Sequence, residues 1–217
     1  MGKIELNKLQ KQTSLLNTAY ELFTTKGVNK TSIAEISKAA GIAKGTFYLY
    51  FKDKYDIRNK LISHESSKLF KNAVKDLRSY AETVEGEIPF DDQIIFMVNH
   101  IINKLNNNKT LLTFISKNLS WGIFKEALTT NVAENDINFK DVFYQMIDNC
   151  SDNIKDPEIM IFLIIELVSS TCYSVILDSE PADLETIKPY LFSAIRAIIA
   201  QHIEKENEQE TPQAIIN

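Results

Sequence analysis

The stretch that most constrains this chain is residues 31–54, T-S-I-A-E-I-S-K-A-A-G-I-A-K-G-T-F-Y-L-Y-F-K-D-K. Thr31 or Ser32 can cap a first short helix, and Glu35, three residues beyond Ser32, completes a capping box. Gly41 ends that helix, because glycine adopts the left-handed conformation at the least cost. A second helix after this tight turn gives the stretch the pattern of a helix-turn-helix.

The outer face of the second helix, predicted over residues 43–51, carries side chains that solvation alone does not explain. With Ile42, Phe47 and Phe51 directed inward, the residues left outside are Lys44, Thr46, Tyr48, Leu49 and Tyr50. In a DNA major groove, aromatic rings pack on thymine methyl groups, and hydroxyl and ammonium groups reach phosphates and base edges. Gly45 would let the backbone approach a phosphate closely. The alternative is a solvated helical hairpin whose aromatic rings pack on a neighbouring domain.

The same run, with A-Y-E-L-F-T-T-K-G-V-N-K-T before it and Y-D-I after it, resembles the DNA-binding domain of the tetracycline-repressor (TetR) family of bacterial regulators. The spacing, the turn glycines and the Y-x-Y-F-K-x-K ending carry the resemblance. It implies an all-α fold with an N-terminal three-helix helix-turn-helix head, a long linking helix, and a helical body that binds a ligand and dimerises. It also implies that Lys54 contacts a phosphate, as the lysine at this position does in the family.

Charge is distributed unevenly along the chain. Residues 1–60 hold 11 Lys and Arg against 5 Asp and Glu, a net charge of +6. The remaining residues hold 13 against 24, a net charge of −11. A basic N-terminal segment on an acidic remainder is typical of a duplex-binding domain carried by a soluble body.

The resemblance implies a head, a linking helix and a body, and the charged break over residues 82–89 marks the predicted boundary before the body helices. The head is residues 1–55, where a first helix over 5–26 should pack on the helix-turn-helix. Asp53 can cap a linking helix over about residues 54–81. The body, residues 82–205, is predicted to contain helices over 90–105, 110–128, 139–150, 157–177 and 184–203. Residues 206–217 are polar and are expected to form a disordered tail.

One body segment, residues 159–177, is long and apolar enough to approach a membrane span. Glu166 lies in its middle beside a Ser-Ser-Thr cluster, and basic residues flank neither end. We therefore predict a helix buried on several sides in a soluble protein, with no membrane partner. This helix and the final one can supply two helices each to a four-helix seam in a homodimer.

The sequence predicts no enzyme, no cofactor and no metal site. It lacks a glycine-rich phosphate loop, G-x-S-x-G and H-E-x-x-H. His64, His100 and His202 fall in three different predicted helices, so each is expected to be structural. Cys150 and Cys172 have no partner at metal-binding spacing and suit reduced thiols in a cytoplasmic protein.

A pocket for a small apolar or amphipathic effector would be lined by aromatic residues and methionine with a few polar groups. The candidates in the body are Phe96, His100, Phe114, Trp121, Phe124, Tyr144, Met146 and Tyr173. Ordinary core packing is the alternative for each of them.

Together these features predict a ligand-responsive transcriptional repressor that binds a palindromic operator as a homodimer and is released by a small-molecule effector. Base readout is assigned to Lys44, Thr46, Tyr48, Leu49 and Tyr50. Phosphate contacts are assigned to Thr31, Gly45, Tyr50 and Lys54. Two alternatives share the same head: a ligand-independent or architectural DNA-binding protein, and a helical enzyme or carrier that keeps the helix-turn-helix as a scaffold.

Overall fold

The computed structural model describes residues 2–118 and 139–204. Its helices are α1 (Lys3–Lys26), α2 (Ile33–Ala39), α3 (Lys44–Phe47), α4 (Lys54–Ala81), α5 (Phe90–Asn106), α6 (Lys109–Asn118), α7 (Phe139–Asp148), α8 (Pro157–Asp178) and α9 (Leu184–His202). Across these residues the one β feature is an isolated antiparallel bridge between Ile154 and Ile203. The predicted all-α fold is confirmed. The predicted helix over 110–128 is described as far as Asn118, and the predicted tail over 206–217 lies outside the described residues.

Local signals in the head set the helix ends as predicted. Gly27 ends α1 with φ +84°, and Gly41 follows α2 with φ +68°, both in the region that favours glycine. Ser32 caps α2, and the Glu35 carboxylate accepts a hydrogen bond from the Ser32 backbone N–H at 2.9 Å. The hydrogen bond from the Lys26 ammonium is the main cause that lowers the pKa of Glu35 to about 2. This carboxylate therefore supports the folded state above the ordinary pKa of 4.5, and its support is lost as pH falls toward 2.

The second helix of the helix-turn-helix is shorter than the predicted span of 43–51. Regular α-helix covers Lys44–Phe47, and three turn residues follow it. The N–H groups of Leu49 and Tyr50 bond three residues back, to Thr46 and Phe47. This tighter turn ends the helix. Phe51 nevertheless bonds four residues back to Phe47, so both rings enter the core as predicted.

The core of the head joins α1 to the helix-turn-helix. Leu16, Ala19 and Phe23 of α1 are buried together with Ile36, Phe47 and Phe51. Leu15 widens the stripe on α1 and is fully buried. The predicted apolar face of α1 therefore carries the packing of the three helices, and α3 is held in place from behind.

The head also packs directly on the body through α1 and α6. The Phe114 ring lies edge-on to Tyr20 with centroids 5.6 Å apart and stacks on Phe23 at 6.5 Å. The linking helix α4 contacts α1, α5 and α6, and the buried residues form one continuous cluster through head and body. The domain limits at residues 55 and 82 remain a prediction.

Helix α8 is less buried than expected. It is long and apolar enough to cross a membrane, yet only 33% of its most apolar window is buried within this chain. Met160, Ile161 and Ile164 face the core, whereas Ile159 and Leu163 are 53% and 39% exposed. The expectation of a helix buried on several sides is therefore wrong for the single chain, since one apolar face stays uncovered.

Candidate nucleic-acid interface

An open groove of about 540 Å³ lies on the surface of the head. It is bordered by the turn between α1 and α2, by α3 and by the start of α4. The exposed and half-buried residues along these three borders are Asn29, Lys30, Ser32, Ile33, Ala34, Lys44, Tyr48, Asp53, Lys54 and Tyr55. The groove therefore brings together residues that are up to 26 positions apart in sequence.

The groove is positively charged. Lys30, Lys44 and Lys54 each come from a different border. Asp53 is the acidic residue of the lining, and its carboxylate accepts the backbone N–H groups of Tyr55 and Asp56 at 2.7 and 2.8 Å as the cap of α4. Because that acid already serves a helix N-terminus, the groove presents mainly cationic side chains to solvent.

The outer face of α3 is exposed as predicted. Tyr48 is 51% exposed and Leu49 is 78% exposed, and Lys44 and Gly45 also face solvent. The Tyr48 ring rests edge-on against the buried Phe47 ring, with centroids 5.6 Å apart. This contact with a core residue orients an aromatic side chain at the edge of the groove. Thr46 is half-buried on the same short helix.

Gly45 has no internal reason to be glycine in the described structure. Its φ is not positive, and a Cβ built at this position meets nothing within 4 Å. Neither backbone conformation nor packing in this chain excludes a side chain there. A close approach by a second molecule, as predicted for a phosphate, would account for the missing side chain.

Two predicted contact residues are placed differently. Thr31 is 2% exposed, and its hydroxyl donates to the Gly27 carbonyl at 2.9 Å. The α1–α2 turn uses the proton of this hydroxyl in this structure, and a phosphate contact by Thr31 stays a prediction. Tyr50 is half-buried against the core, with its ring near Phe51, so it is less available to bases than predicted.

Lys54 has a structural role that the sequence did not indicate. Its ammonium donates to the carbonyls of Val28, Asn29 and Thr31 at 3.1, 3.1 and 3.4 Å. Three acceptors match the three N–H donors of a lysine. They offset the unfavourable position of a cation at a helix N-terminus. Lys54 therefore ties the α1–α2 turn to the start of α4.

This geometry separates the effects of two lysine substitutions. Lys54→Ala should lower the free energy of unfolding by about 1.5–3 kcal/mol, because it removes hydrogen bonds made by a charged group. Lys44→Ala should change it by less than about 0.5 kcal/mol, because the side chain is exposed. If Lys44 reaches a phosphate, its loss should also flatten the dependence of DNA affinity on salt by about one unit. Urea unfolding measures the change in stability, and salt titrations measure the change in the salt dependence of DNA affinity. An unchanged free energy of unfolding in Lys54→Ala would show that the hydrogen bonds from Lys54 to the α1–α2 turn do not stabilise the fold.

Sequence reasoning missed Lys30 and Tyr55 as residues of the groove. Tyr55 is 46% exposed, and the cations of Lys54 and Arg58 lie 5.5 and 5.2 Å from its ring centroid. Lys30 precedes the cap of α2 at the opposite border. The sequence signals that could have indicated them are the position of Lys30 shortly before the capping box and the position of Tyr55 directly after Lys54.

The described members of the predicted effector set are spread over four helices, α5, α6, α7 and α8. Phe114 packs on α1, whereas Phe96 stacks on Tyr80 of α4 with centroids 5.1 Å apart. Tyr144 and Tyr173 are half-buried, and Met146 lies at the end of the body far from the head. Trp121 and Phe124 lie outside the described residues.

His100 is the polar residue of that set with a distinctive environment. Its Nδ1 lies 3.0 Å from an Asp76 carboxylate oxygen, and its side chain is 12% exposed. Its Nε2 is buried without a hydrogen-bond partner among the described residues. A buried polar atom of this kind is usually satisfied by water or a ligand.

The fold and the groove define a helix-turn-helix protein with a basic, aromatic recognition surface on an all-α scaffold. Residues 15–61 match the model of the bacterial regulatory proteins of the tetR family. The matched residues include the helix-turn-helix and the start of α4, so the head of this chain is similar to the DNA-binding domain of that family.

Known relatives agree with this assignment. The fatty acid metabolism regulator protein of Bacillus subtilis (strain 168) is 31% identical over 78 residues, which are 36% of this chain and 40% of that regulator. The match thus spans less than half of that relative. A putative TetR-family regulator from Syntrophomonas wolfei superposes with a TM-score of 0.60 at 18% identity, covering 89% of this chain and 96% of that one. The regulator FadR from Bacillus subtilis in complex with stearoyl-CoA superposes with a TM-score of 0.58 at 15% identity, covering 84% of this chain and 96% of that one. At these identities the two structures show a shared fold.

Proposed function

We propose that this protein is a ligand-responsive transcriptional repressor that works in the cytoplasm. It binds a palindromic DNA operator as a homodimer, and a small-molecule effector releases it. The observation that carries the proposal is the basic groove of the head, with an exposed α3 face that internal packing does not require. Lys30 and Lys44 suit phosphates, while Tyr48 and Leu49 suit base edges and thymine methyl groups.

The uncovered face of α8 supports the homodimer. Ile159, Leu163, Glu166 and Ser170 recur at helical spacing along the side of α8 that the chain leaves exposed. The adjoining helix α9, which packs on α8, exposes Tyr190 to 74%. Two copies of these helices would cover each other in a twofold four-helix seam. Two heads could then enter successive major grooves about 34–36 Å apart.

The body offers a place for the effector. Phe96 and His100 lie on α5, and the buried Nε2 of His100 can accept a hydrogen bond from a ligand or donate one to it. Stearoyl-CoA bound to a regulator with the same fold is an apolar chain on a polar group. We infer an apolar or amphipathic effector for this chain as well.

The aromatic contact between α1 and α6 is a direct path from body to head. An effector that displaces Phe114 would disturb its packing on Tyr20 and Phe23. The long helix α4 connects the same two parts. Effector binding would then favour an arrangement in which the two heads no longer match the operator spacing.

The test is DNA selection with the full chain, followed by substitution of Tyr48. A duplex enriched from a random pool should lose about 1–3 kcal/mol of binding free energy in Tyr48→Ala. Tyr80→Ala removes a similarly exposed tyrosine, 44% against 51%, from the far end of α4 and should bind normally. If no sequence is enriched, or if Tyr48→Ala binds the selected duplex as tightly as the unchanged protein, the exposed face of α3 does not read base sequence.

A further inference from the structure

A second cavity of about 810 Å³ lies at the end of the body far from the head. It is bordered by the C-terminal turns of α4, the segment that leads into α5, the end of α7 and the end of α9. Val74, which lines it, is twenty residues along α4 from Lys54. That separation is about 30 Å at the rise of an α-helix. The cavity is therefore remote from the DNA groove.

The inner wall of this cavity is apolar. Leu77, Phe90 and Ile199 are core residues with 8%, 7% and 1% exposure, and Val142 and Met146 are half-buried beside them. Pockets for small ligands are typically about 300–1,000 Å³ with mainly apolar walls. The space suits the hydrocarbon part of a molecule of moderate size.

The mouth of the cavity carries both signs of charge. Arg78 is exposed and has no acceptor among the described residues, while Glu87 and Asp152 are exposed acids on the opposite borders. Asp91 is paired with Arg196. The side-chain amides of Gln145 and Asn149 complete the rim. An ionised head group of either sign would meet a like charge here, whereas hydroxyl or amide groups could both donate to and accept from this rim.

We propose that this cavity binds an uncharged amphipathic molecule, with its apolar part against Leu77 and Met146 and its polar part at Arg78 and Gln145. Of the predicted effector residues, Met146 lines this cavity, whereas Phe96, His100 and Phe114 do not. Binding at this cavity does not depend on the proposed DNA binding.

Cys150 provides a reporter, because its half-buried thiol lines the cavity. The other thiol, Cys172, is 1% exposed, and burial raises its pKa to about 12, so it reacts slowly. Octyl glucoside, nonanoate and octyltrimethylammonium share the octyl chain and differ in head-group charge. Each is titrated below its critical micelle concentration while a thiol reagent labels the full-length protein, with Cys150→Ser to assign the signal.

Octyl glucoside should slow labelling at least about fivefold and saturably, and the two charged probes should act more weakly at equal concentration. Ala81→Trp places a ring at the rim and should abolish the protection, as should Val142→Trp on the inner wall. Ser79 is exposed, lies two residues before Ala81 on α4 and does not line the cavity. The Ser79→Trp variant should therefore retain the protection of Cys150 by octyl glucoside. Absence of protection, equal protection by all three probes, or full protection in both cavity variants would overturn the proposal. DNA affinity of the same samples is read separately.

Discussion

Phe114→Ala should lower the free energy of unfolding by about 3–5 kcal/mol, the usual cost of truncating a buried phenylalanine. Phe114 is 5% exposed and fills the contact between α6 and α1. Its two ring contacts, with Tyr20 and Phe23, contribute beyond their buried area. The loss should appear in urea unfolding as a lower midpoint with an unchanged slope.

The matched control for this prediction is Tyr80→Ala, which removes a 44% exposed ring that stacks on Phe96 within the body. It should cost about 1 kcal/mol. A loss below about 1 kcal/mol in Phe114→Ala would show that the α1–α6 contact contributes little. The proposed path from body to head would then need another element.

Leu163→Asp should convert the proposed homodimer into monomers and greatly weaken binding to the proposed operator. Leu163 is 39% exposed on the uncovered face of α8, and a twofold seam would bury both copies. Placing two unpaired carboxylates in an apolar interface should cost about 2–4 kcal/mol per substituted side chain. Operator affinity should fall as well, because two linked heads bind far more tightly than one.

Leu6→Asp is the control for this substitution, since Leu6 is 46% exposed but lies near the start of α1, away from α8 and α9. Sedimentation equilibrium of the unchanged protein, Leu163→Asp and Leu6→Asp across a range of concentrations measures self-association. A Leu163→Asp protein that remains as dimeric as Leu6→Asp would place the interface elsewhere.

Helix positions were predictable where short-range chemistry determines them. The capping box of Ser32 and Glu35, the glycine after α1 and the Asp53 cap of α4 all act within a few residues. The periodic stripe of α1 likewise identified the core of the head. These features depend on local backbone geometry, which a sequence pattern can encode directly.

The features that the sequence did not reveal lie where distant residues meet. The side chains of Thr31 and Lys54 were assigned to phosphates from their place in the pattern. The structure uses both to stabilise the α1–α2 turn, through carbonyls that no local spacing reveals. The exposure of α8 depends on which face its neighbours cover, and an apolar run without a polar stripe does not encode that choice. The cavity beside Arg78 depends on four separate segments and could not be predicted from any one of them.

The most direct test of DNA binding is a salt titration of the full-length protein with a fluorescently labelled duplex. Lys30 and Lys44 in each of two proposed heads should release counterions on binding, so the logarithm of affinity should fall with the logarithm of salt concentration with a slope of about −3.6 or steeper. Binding at low ionic strength with such a slope is the expected result. An absence of binding at about 50 mM salt, or binding that does not depend on salt, would contradict DNA binding through the basic groove of the head.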